Sequence, residues 1–112
     1  MIKKQALLLV GVIAVSLPSF AAEDAVKTLY TQKCSSCHGK DAKGNPAMAK
    51  MFKLDASALD LTSKTTMAKK DEELIATTTK GHGKMPAYET KLKPEEIKSL
   101  VMYIRSLSKP KP

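Results

Sequence analysis

The segment Cys34-Ser35-Ser36-Cys37-His38 constrains this 112-residue chain more than any other part of it. It sets two cysteines three residues apart and a histidine directly after the second one. On a helical turn, residues three apart lie on the same face, so both sulfurs can reach the two vinyl groups of one porphyrin. The adjacent histidine can then bring its imidazole to the iron. This pattern is that of c-type haem attachment, and it predicts one covalent haem c bound by Cys34 and Cys37, with His38 as an axial ligand.

Other uses of paired cysteines fit the sequence less well. A thioredoxin-like redox pair needs a βαβ context, and no alternating strand pattern surrounds this pair. A structural zinc site usually has four ligands, whereas the chain has two cysteines and only one histidine outside the motif, His82. A disulfide between cysteines this close together would add little to the stability of the fold. A protein that keeps a covalently bound haem on purification would exclude these alternatives.

The first 21 residues have the features of a secretory signal peptide. Two lysines near the N-terminus precede an apolar stretch from Ala6 to Leu17, and Ser19 and Ala21 fit the small-x-small cleavage rule. We therefore expect cleavage after Ala21 and export to the periplasm, where bacteria can attach c-type haem. The apolar stretch is shorter than the roughly 20 residues of a membrane-spanning helix, so we expect no stable membrane insertion.

The rest of the chain predicts one small all-α domain over residues 22–108, followed by a flexible tail over 109–112. Apolar residues at helical spacing predict three main helices, over 24–33, over 71–79 and from Pro94 onward. Asp24 and Asp71 are the predicted N-caps of the first two. Between these helices we expect a short helix over 47–52, an irregular stretch or single turn over 54–61, and a loop over 62–67.

A glycine-rich segment, Gly81-His82-Gly83-Lys84-Met85-Pro86, lies between the last two main helices. Met85 is a candidate for the second axial ligand, because a thioether is a soft, neutral donor and the proline after it stiffens the loop. A loop methionine on its own is more often a packing residue, but the position between these helices favours ligation. We expect His82 to be an exposed loop side chain. The alternative is that neutral His82 displaces Met85 at higher pH.

From Ala25 to Leu107 the chain resembles the class I monohaem cytochromes c, in particular the small bacterial members of the cytochrome c6 and oxidase-subunit kinds. The resemblance implies an all-α fold of three main helices and short turns around one haem, with the first and last helices crossing. The motifs that carry it are Leu29-Tyr30 and the haem motif with Gly39, then Gly83-Lys84-Met85-Pro86-Ala87-Tyr88, Pro94-Glu95-Glu96-Ile97 and Tyr103-Ile104.

The same resemblance implies roles for particular residues. His38 would be the proximal iron ligand and Met85 the distal one. The carbonyl of Pro46 would accept a hydrogen bond from the other ring nitrogen of His38 and so fix the ring. Tyr30 and Tyr103 would lie where the two terminal helices cross, and simple core packing explains them equally well.

These residues predict a periplasmic one-electron carrier of a respiratory chain and not an enzyme, because both axial positions would be filled. The chain has a formal net charge of +8, and we expect lysines around the haem edge to steer redox partners with acidic docking surfaces. We expect a monomer that binds no nucleic acid, since the aromatic interleaving typical of such binding is missing. The lysines expected around the haem edge are Lys33, Lys40, Lys43, Lys80 and Lys84.

The alternative function is a haem-based sensor or small-ligand-binding protein with a labile Met85.

Overall fold

The computed structural model describes residues 20–108 and, separately, Gly11. Apart from Gly11, Phe20 and Ala21, the predicted signal peptide lies outside these residues, and so does the predicted tail over 109–112. The described part is all-α, as predicted. Its elements are α1 (Phe20–Lys33), α2 (Ser35–His38), α3 (Pro46–Met51), a 3-10 turn (Ala56–Leu59), α4 (Lys64–Met67), α5 (Asp71–Lys80) and α6 (Pro94–Ser108). Within this part, no helix combines the length and the hydrophobicity needed to cross a bilayer.

Both predicted N-caps are wrong, whereas the predicted start of α5 at residue 71 is confirmed. Helix α1 begins at Phe20, so Asp24 lies inside the helix and does not cap it. Alanine is the best helix former, and the Ala-Ala-Glu stretch before Asp24 contains nothing that would stop a helix. Helix α5 begins at Asp71 itself, and the extended residue before it is Lys70. The acidic side chains of its first turn, including Asp71, still complement the positive end of the helix dipole.

The chain between α2 and α5 is more helical than the sequence predicts. Helix α3 matches the predicted short helix to within one residue at each end. It begins at Pro46 because the side chain of Asn45 caps it, accepting a hydrogen bond from the Ala47 amide 3.0 Å away. The expected single turn is the 3-10 turn over Ala56–Leu59. Helix α4 lies where we predict a loop. Its one turn forms because Ser63 Oγ accepts from the Thr66 amide at 3.2 Å and caps it.

The first and last helices pack against each other around the buried core. Tyr30 of α1 and Leu100 of α6 are each only 1% exposed. The rings of Tyr30 and Tyr103 lie 5.4 Å apart between centroids and are tilted by 54°, which is a favourable aromatic arrangement. Ile97, Leu100 and Val101 form the buried stripe of α6 at the predicted helical spacing.

Arg105 fixes α5 beside α6. Its Nε donates to Asp71 Oδ1 at 2.6 Å, its Nη2 to the Lys69 carbonyl at 2.6 Å, and its Nη1 to the Met67 carbonyl at 3.3 Å. One guanidinium group thus binds the segment that leads from α4 into α5 at three points. This contact holds α5 in place opposite the attachment motif.

Candidate haem site

The motif Cys34–His38 forms a helical turn at the C-terminal end of α1. The Cys34 amide donates to the Tyr30 carbonyl at 2.8 Å, and the His38 amide donates to the Cys34 carbonyl at 2.9 Å. Both cysteines are half-buried, and they do not form a disulfide with each other. Residues 34 and 37 therefore share one face of a turn, which is the arrangement that the spacing predicts.

The state of the cysteines argues against a dithiol redox pair. Burial raises the pKa of the Cys34 thiol to about 11, and the neighbouring Cys37 adds to the shift. The nucleophilic thiol of a thioredoxin-like pair has a lowered pKa, which makes it a thiolate near neutral pH. Cys34 is accordingly protonated at neutral pH and does not have the properties of such a nucleophile.

His38 is held through its ring by the carbonyl of Leu59. The distance from Nδ1 to that oxygen is 2.9 Å, and since a carbonyl only accepts, Nδ1 carries the proton. Burial lowers the pKa of His38, and the hydrogen bond to Leu59 partly opposes this shift. The ring is therefore neutral, with Nε2 available as a ligand atom. This is the state that an iron-binding imidazole requires.

The prediction that Pro46 supplies this carbonyl is wrong. The loop after the motif doubles back at once, with the Gly44 amide donating to the His38 carbonyl at 2.7 Å and the Asn45 amide to the Cys37 carbonyl at 3.0 Å. Pro46 is thereby placed as the first residue of α3, which suits its fixed φ and missing amide hydrogen. The chain comes back to the His38 ring only after α3, at Leu59. No sequence signal identifies this acceptor, because every residue has a carbonyl.

The Leu59 carbonyl is positioned by close contact between two loops. Gly44 has φ +100°, and a Cβ added there would lie 3.0 Å from the Ala56 oxygen and 3.2 Å from the Leu59 carbonyl carbon. The Leu61 amide donates to the carbonyl of Ala42 at 2.7 Å, and Ala42 is fully buried. Gly44 is thus required both for its backbone conformation and for the space it leaves beside Leu59.

Met85 lies in a tight turn between α5 and α6. The His82 amide donates to the Met85 carbonyl at 3.1 Å, and the Met85 amide donates back to the His82 carbonyl at 2.9 Å. Gly81 begins this turn with φ +79°, and a Cβ there would come within 2.8 Å of the Met85 oxygen and 2.9 Å of the Ala87 nitrogen. Met85 is half-buried, whereas His82 is exposed, as expected.

The base of this turn is anchored on α5. The Tyr88 amide donates to the Thr78 carbonyl and the Glu89 amide to the Thr79 carbonyl, both at 3.1 Å. Lys80 Nζ contacts both carboxylate oxygens of Glu89, at 2.8 and 2.9 Å. We call residues 81–89 the Met85 loop. Its two ends are fixed side by side, while its tip faces solvent.

An apolar cavity brings the predicted ligands together. Cys34, His38 and Met85 all line it, Cys37 lies on the same attachment turn, and Pro46 is not part of the lining. The remaining lining residues are Leu61, Thr66, Leu74, Thr77, Thr78, Leu100, Val101 and Ile104. The apolar stripe of α6 could be predicted from its periodicity, whereas Leu61 and Thr66 come from a stretch that the sequence left irregular. A larger surface groove of about 340 Å³ between α1 and α6 contains none of the predicted site residues.

The donor set of this cavity fits a haem. An imidazole and a thioether are ligands that haem iron accepts, and the two cysteines are placed on one turn beside them. The residues around them are mainly apolar, as a porphyrin requires. Across residues 20–108, no cluster of three or more His, Cys, Asp or Glu side chains could hold a metal ion by itself. These residues therefore give no support for a four-ligand zinc site.

One solved structure and one curated relative support the fold. The chain is similar to the KustC0563 c-type cytochrome, with a TM-score of 0.61 and 28% identity over 74% of this chain and 96% of that one. It is also 29% identical to a cytochrome c6 of Nostoc sp. (strain PCC 7120 / SAG 25.82 / UTEX 2576), over 81% of this chain and 77% of the relative. Both likenesses agree with an all-α class I cytochrome c.

Longer relatives identify the family. The chain is 38% identical over 95 residues to the cbb3-type cytochrome c oxidase subunit FixP of Bradyrhizobium sp. (strain ORS 278), which is 81% of this chain and 30% of the relative. The chain thus spans less than a third of the length of this curated subunit. The family model described as cytochrome c oxidase, cbb3-type, subunit III matches residues 21–104. The chain therefore belongs to the cbb3-type cytochrome c oxidase subunit III family, whose match covers the whole of its candidate haem site.

Proposed function

We propose that the chain is a periplasmic one-electron carrier of a respiratory chain with a single haem c, bound through Cys34 and Cys37 and ligated by His38 and Met85. The observation that supports this most is the apolar cavity lined by both His38 and Met85. A haem bound there would supply a metal that exchanges one electron between its ferric and ferrous states. With both axial positions filled, no iron site is open to a substrate.

The chain's own residues would keep the site nearly unchanged between the two oxidation states. Leu59 holds the His38 ring by its Nδ1 proton, which fixes the orientation of the ring and makes Nε2 a better donor. Leu74 of α5 and the apolar stripe of α6 give the cavity a lining that is unfavourable to water. Little rearrangement on gain or loss of an electron is what a carrier needs.

A haem-based sensor with a labile Met85 is the second candidate. The observation that favours it is the exposure of the loop tip, where His82, Gly83 and Lys84 all face solvent. If Met85 left the iron easily, a small molecule could take its position. The two functions thus differ in how firmly Met85 stays bound.

The optical spectrum of the exported protein separates these functions. We expect the far-red sulfur-to-iron band in the oxidised protein and no spectral shift when carbon monoxide is added to the reduced protein. Met85→Ala should remove the band and allow carbon monoxide to bind. Met102→Ala is the matched control, since Met102 is 56% exposed on α6 and does not line the cavity. Ready carbon monoxide binding by the unmodified protein would favour the sensor.

We further propose that the protein is a monomer that docks acidic redox partners through lysines near the site. Lys33, Lys40, Lys43 and Lys84 are exposed, and so are available to a partner. Lys80 contributes less, because it forms an ion pair with Glu89. Such a basic surface would speed encounters with negatively charged partners, and salt would weaken the effect.

Small oxidants of opposite charge test this surface without a known partner. Oxidation of the reduced protein by anionic ferricyanide should slow as salt is added, and oxidation by a cationic cobalt complex should accelerate. Lys84→Glu should reduce both trends more than Lys98→Glu, which makes the same charge change on the exposed side of α6. Equal salt dependence for both oxidants would rule out a basic docking surface.

Export is part of the same proposal. Cleavage after Ala21 would leave a mature domain over residues 22–108 with its short tail. The N-terminal sequence of the protein purified from the periplasm should therefore begin at Ala22. A chain that keeps Met1 would contradict cleavage at this position.

A further inference from the structure

We propose that Tyr88 is a positioning residue that ties the Met85 loop to the haem-attachment turn and thereby sets how readily Met85 leaves the iron. Its hydroxyl donates to the Lys33 carbonyl at 2.8 Å, across 55 residues of sequence. Lys33 is the last residue of α1 and directly precedes Cys34. The inference rests on the proposed ligation by Met85, which the spectrum of the unmodified protein tests separately.

The Lys33 carbonyl can accept the bond from Tyr88 because α1 ends at that residue. The last carbonyls of a helix have no amide partner within it and need one from elsewhere. Tyr88 supplies that partner at Lys33, the end of α1 nearest the motif. Among the hydrogen bonds and ion pairs of residues 20–108, this is the one contact that joins the Met85 loop to residues 33–38.

Tyr88 can transmit this contact to Met85 because its own backbone is fixed. Its amide is bound to the Thr78 carbonyl at 3.1 Å, and its carbonyl accepts from the amides of Lys91 and Leu92, both at 3.0 Å. Only two residues, one of them the stiff Pro86, separate Tyr88 from Met85. Backbone movement at Met85 therefore has to bend the chain at Pro86 and Ala87 or break bonds of Tyr88, among them the bond to Lys33.

The surroundings of Tyr88 keep its hydroxyl a donor. Burial raises the pKa of Tyr88, so the hydroxyl keeps its proton at neutral pH. The ammonium group of Lys91 lies 5.6 Å from the centre of the ring. The bond to Lys33 holds the ring on the attachment side of the loop. The tip of the loop has no such contact, since a Cβ added at Gly83 would meet nothing within 4 Å.

Imidazole binding to the oxidised holoprotein tests the role of Tyr88. Imidazole takes the iron position that Met85 leaves, so its apparent affinity rises with the fraction of molecules in which Met85 is detached. Tyr88→Phe removes one hydrogen bond and keeps the ring, and we expect the affinity to increase roughly two- to tenfold. The far-red band should remain in the absence of imidazole.

Tyr30→Phe is the matched control. The Tyr30 hydroxyl also donates to a backbone carbonyl, that of Gly39 at 2.6 Å, but on the other side of the motif and away from the Met85 loop. We expect Tyr30→Phe to lower the melting temperature and to leave the imidazole affinity within about twofold of the original, since it alters no bond of the loop. Comparing the two variants separates loss of overall stability from release of Met85.

Three results would overturn the inference. An unchanged imidazole affinity in Tyr88→Phe, with the far-red band intact, would reject the role of Tyr88 and leave Met85 as the ligand. Equal increases in both variants, in proportion to their loss of melting temperature, would show a merely structural role. Absence of the far-red band from the unmodified protein would reject both Met85 ligation and the role of Tyr88.

Discussion

The two regions that carry the proposed iron ligands of this protein are held in place in different ways. His38 belongs to a helical turn, its backbone is bonded through both its amide and its carbonyl, and its ring is bonded to Leu59. The contacts behind it are buried, with Ala42 fully covered and Leu59 nearly so. Met85 lies in a loop whose backbone pairs with itself at His82. The loop is fixed to the rest of the protein mainly at its base.

This difference separates stability from function. Displacing His38 would disturb the loop and the 3-10 turn that form part of the core, so it should cost much of the stability of folding. Met85 can move when a few bonds at the base of its loop break, without opening the core. We infer that the His38 side holds the haem in place, while small substitutions on the Met85 side can change how firmly the distal ligand binds.

The largest effect is expected at the start of the Met85 loop. Gly81→Ala would place a Cβ 2.8 Å from the Met85 oxygen at a φ of +79°. We expect a loss of at least about 2 kcal/mol in the free energy of unfolding, together with loss of the far-red band. Chemical denaturation and the optical spectrum measure the two effects.

Gly83→Ala is the matched control for this substitution. Gly83 also has a positive φ, +56°, but a Cβ there would meet no atom within 4 Å. Its cost should be the conformational one alone, about 1 kcal/mol, with the band retained. Similar losses in the two variants would mean that the Met85 loop adapts freely and that its base is not a fixed anchor.

A slightly smaller effect is expected at Gly44, on the proximal side. The Cβ of Gly44→Ala would lie 3.0 Å from the Ala56 oxygen and would push on Leu59. We expect a loss of about 1–3 kcal/mol in stability. We also expect a higher reduction potential, because a weaker bond from Leu59 makes the His38 imidazole a poorer donor to ferric iron. Denaturation and protein voltammetry test these two outcomes.

Gly39→Ala separates the effect on the ring from backbone strain. Gly39 has φ +79°, and a Cβ there would lie 3.2 Å from both the flexible Asp41 carboxylate and the Gly44 carbonyl oxygen. This variant should lose stability with a smaller change in potential than Gly44→Ala, since none of its three nearest atoms belongs to Leu59. A shift in potential of the same size in both variants would argue against the role assigned to the Leu59 carbonyl.

Tyr30 should give the protein a sensitivity to alkaline pH. Burial raises the pKa of Tyr30 above its usual value of 10.0, so the unfolded state ionises first. The free energy of unfolding should therefore be unaffected by Tyr30 below pH 10 and fall above it, by at most about 1.4 kcal/mol per pH unit. Tyr30→Phe should cost about 1 kcal/mol at pH 8 through the lost bond to Gly39 and then decline less steeply. Urea denaturation at pH 8 and pH 11 would show whether the two curves converge.

The sequence predicts those parts of the site that depend on residue type and spacing. The turn of the motif and the stripe of α6 each follow from a local rule of backbone or side-chain geometry. The acceptor for His38 does not, because a carbonyl leaves no mark in the sequence and loop length decides which one reaches the ring. Helix α4 was missed for a related reason, since a single capped turn has too few residues for a periodic pattern.

The ion pair between Lys80 and Glu89 is expected to contribute least. Its side chains are 68% and 55% exposed, so water and salt screen the attraction. A double-mutant cycle of Lys80→Gln and Glu89→Gln should give a coupling energy of at most about 0.5 kcal/mol, lower still at high salt. Imidazole affinity should change less in either variant than in Tyr88→Phe, because both variants keep the Tyr88 bond to the Lys33 carbonyl. A coupling above about 1 kcal/mol would instead place the main anchor of the Met85 loop at this pair.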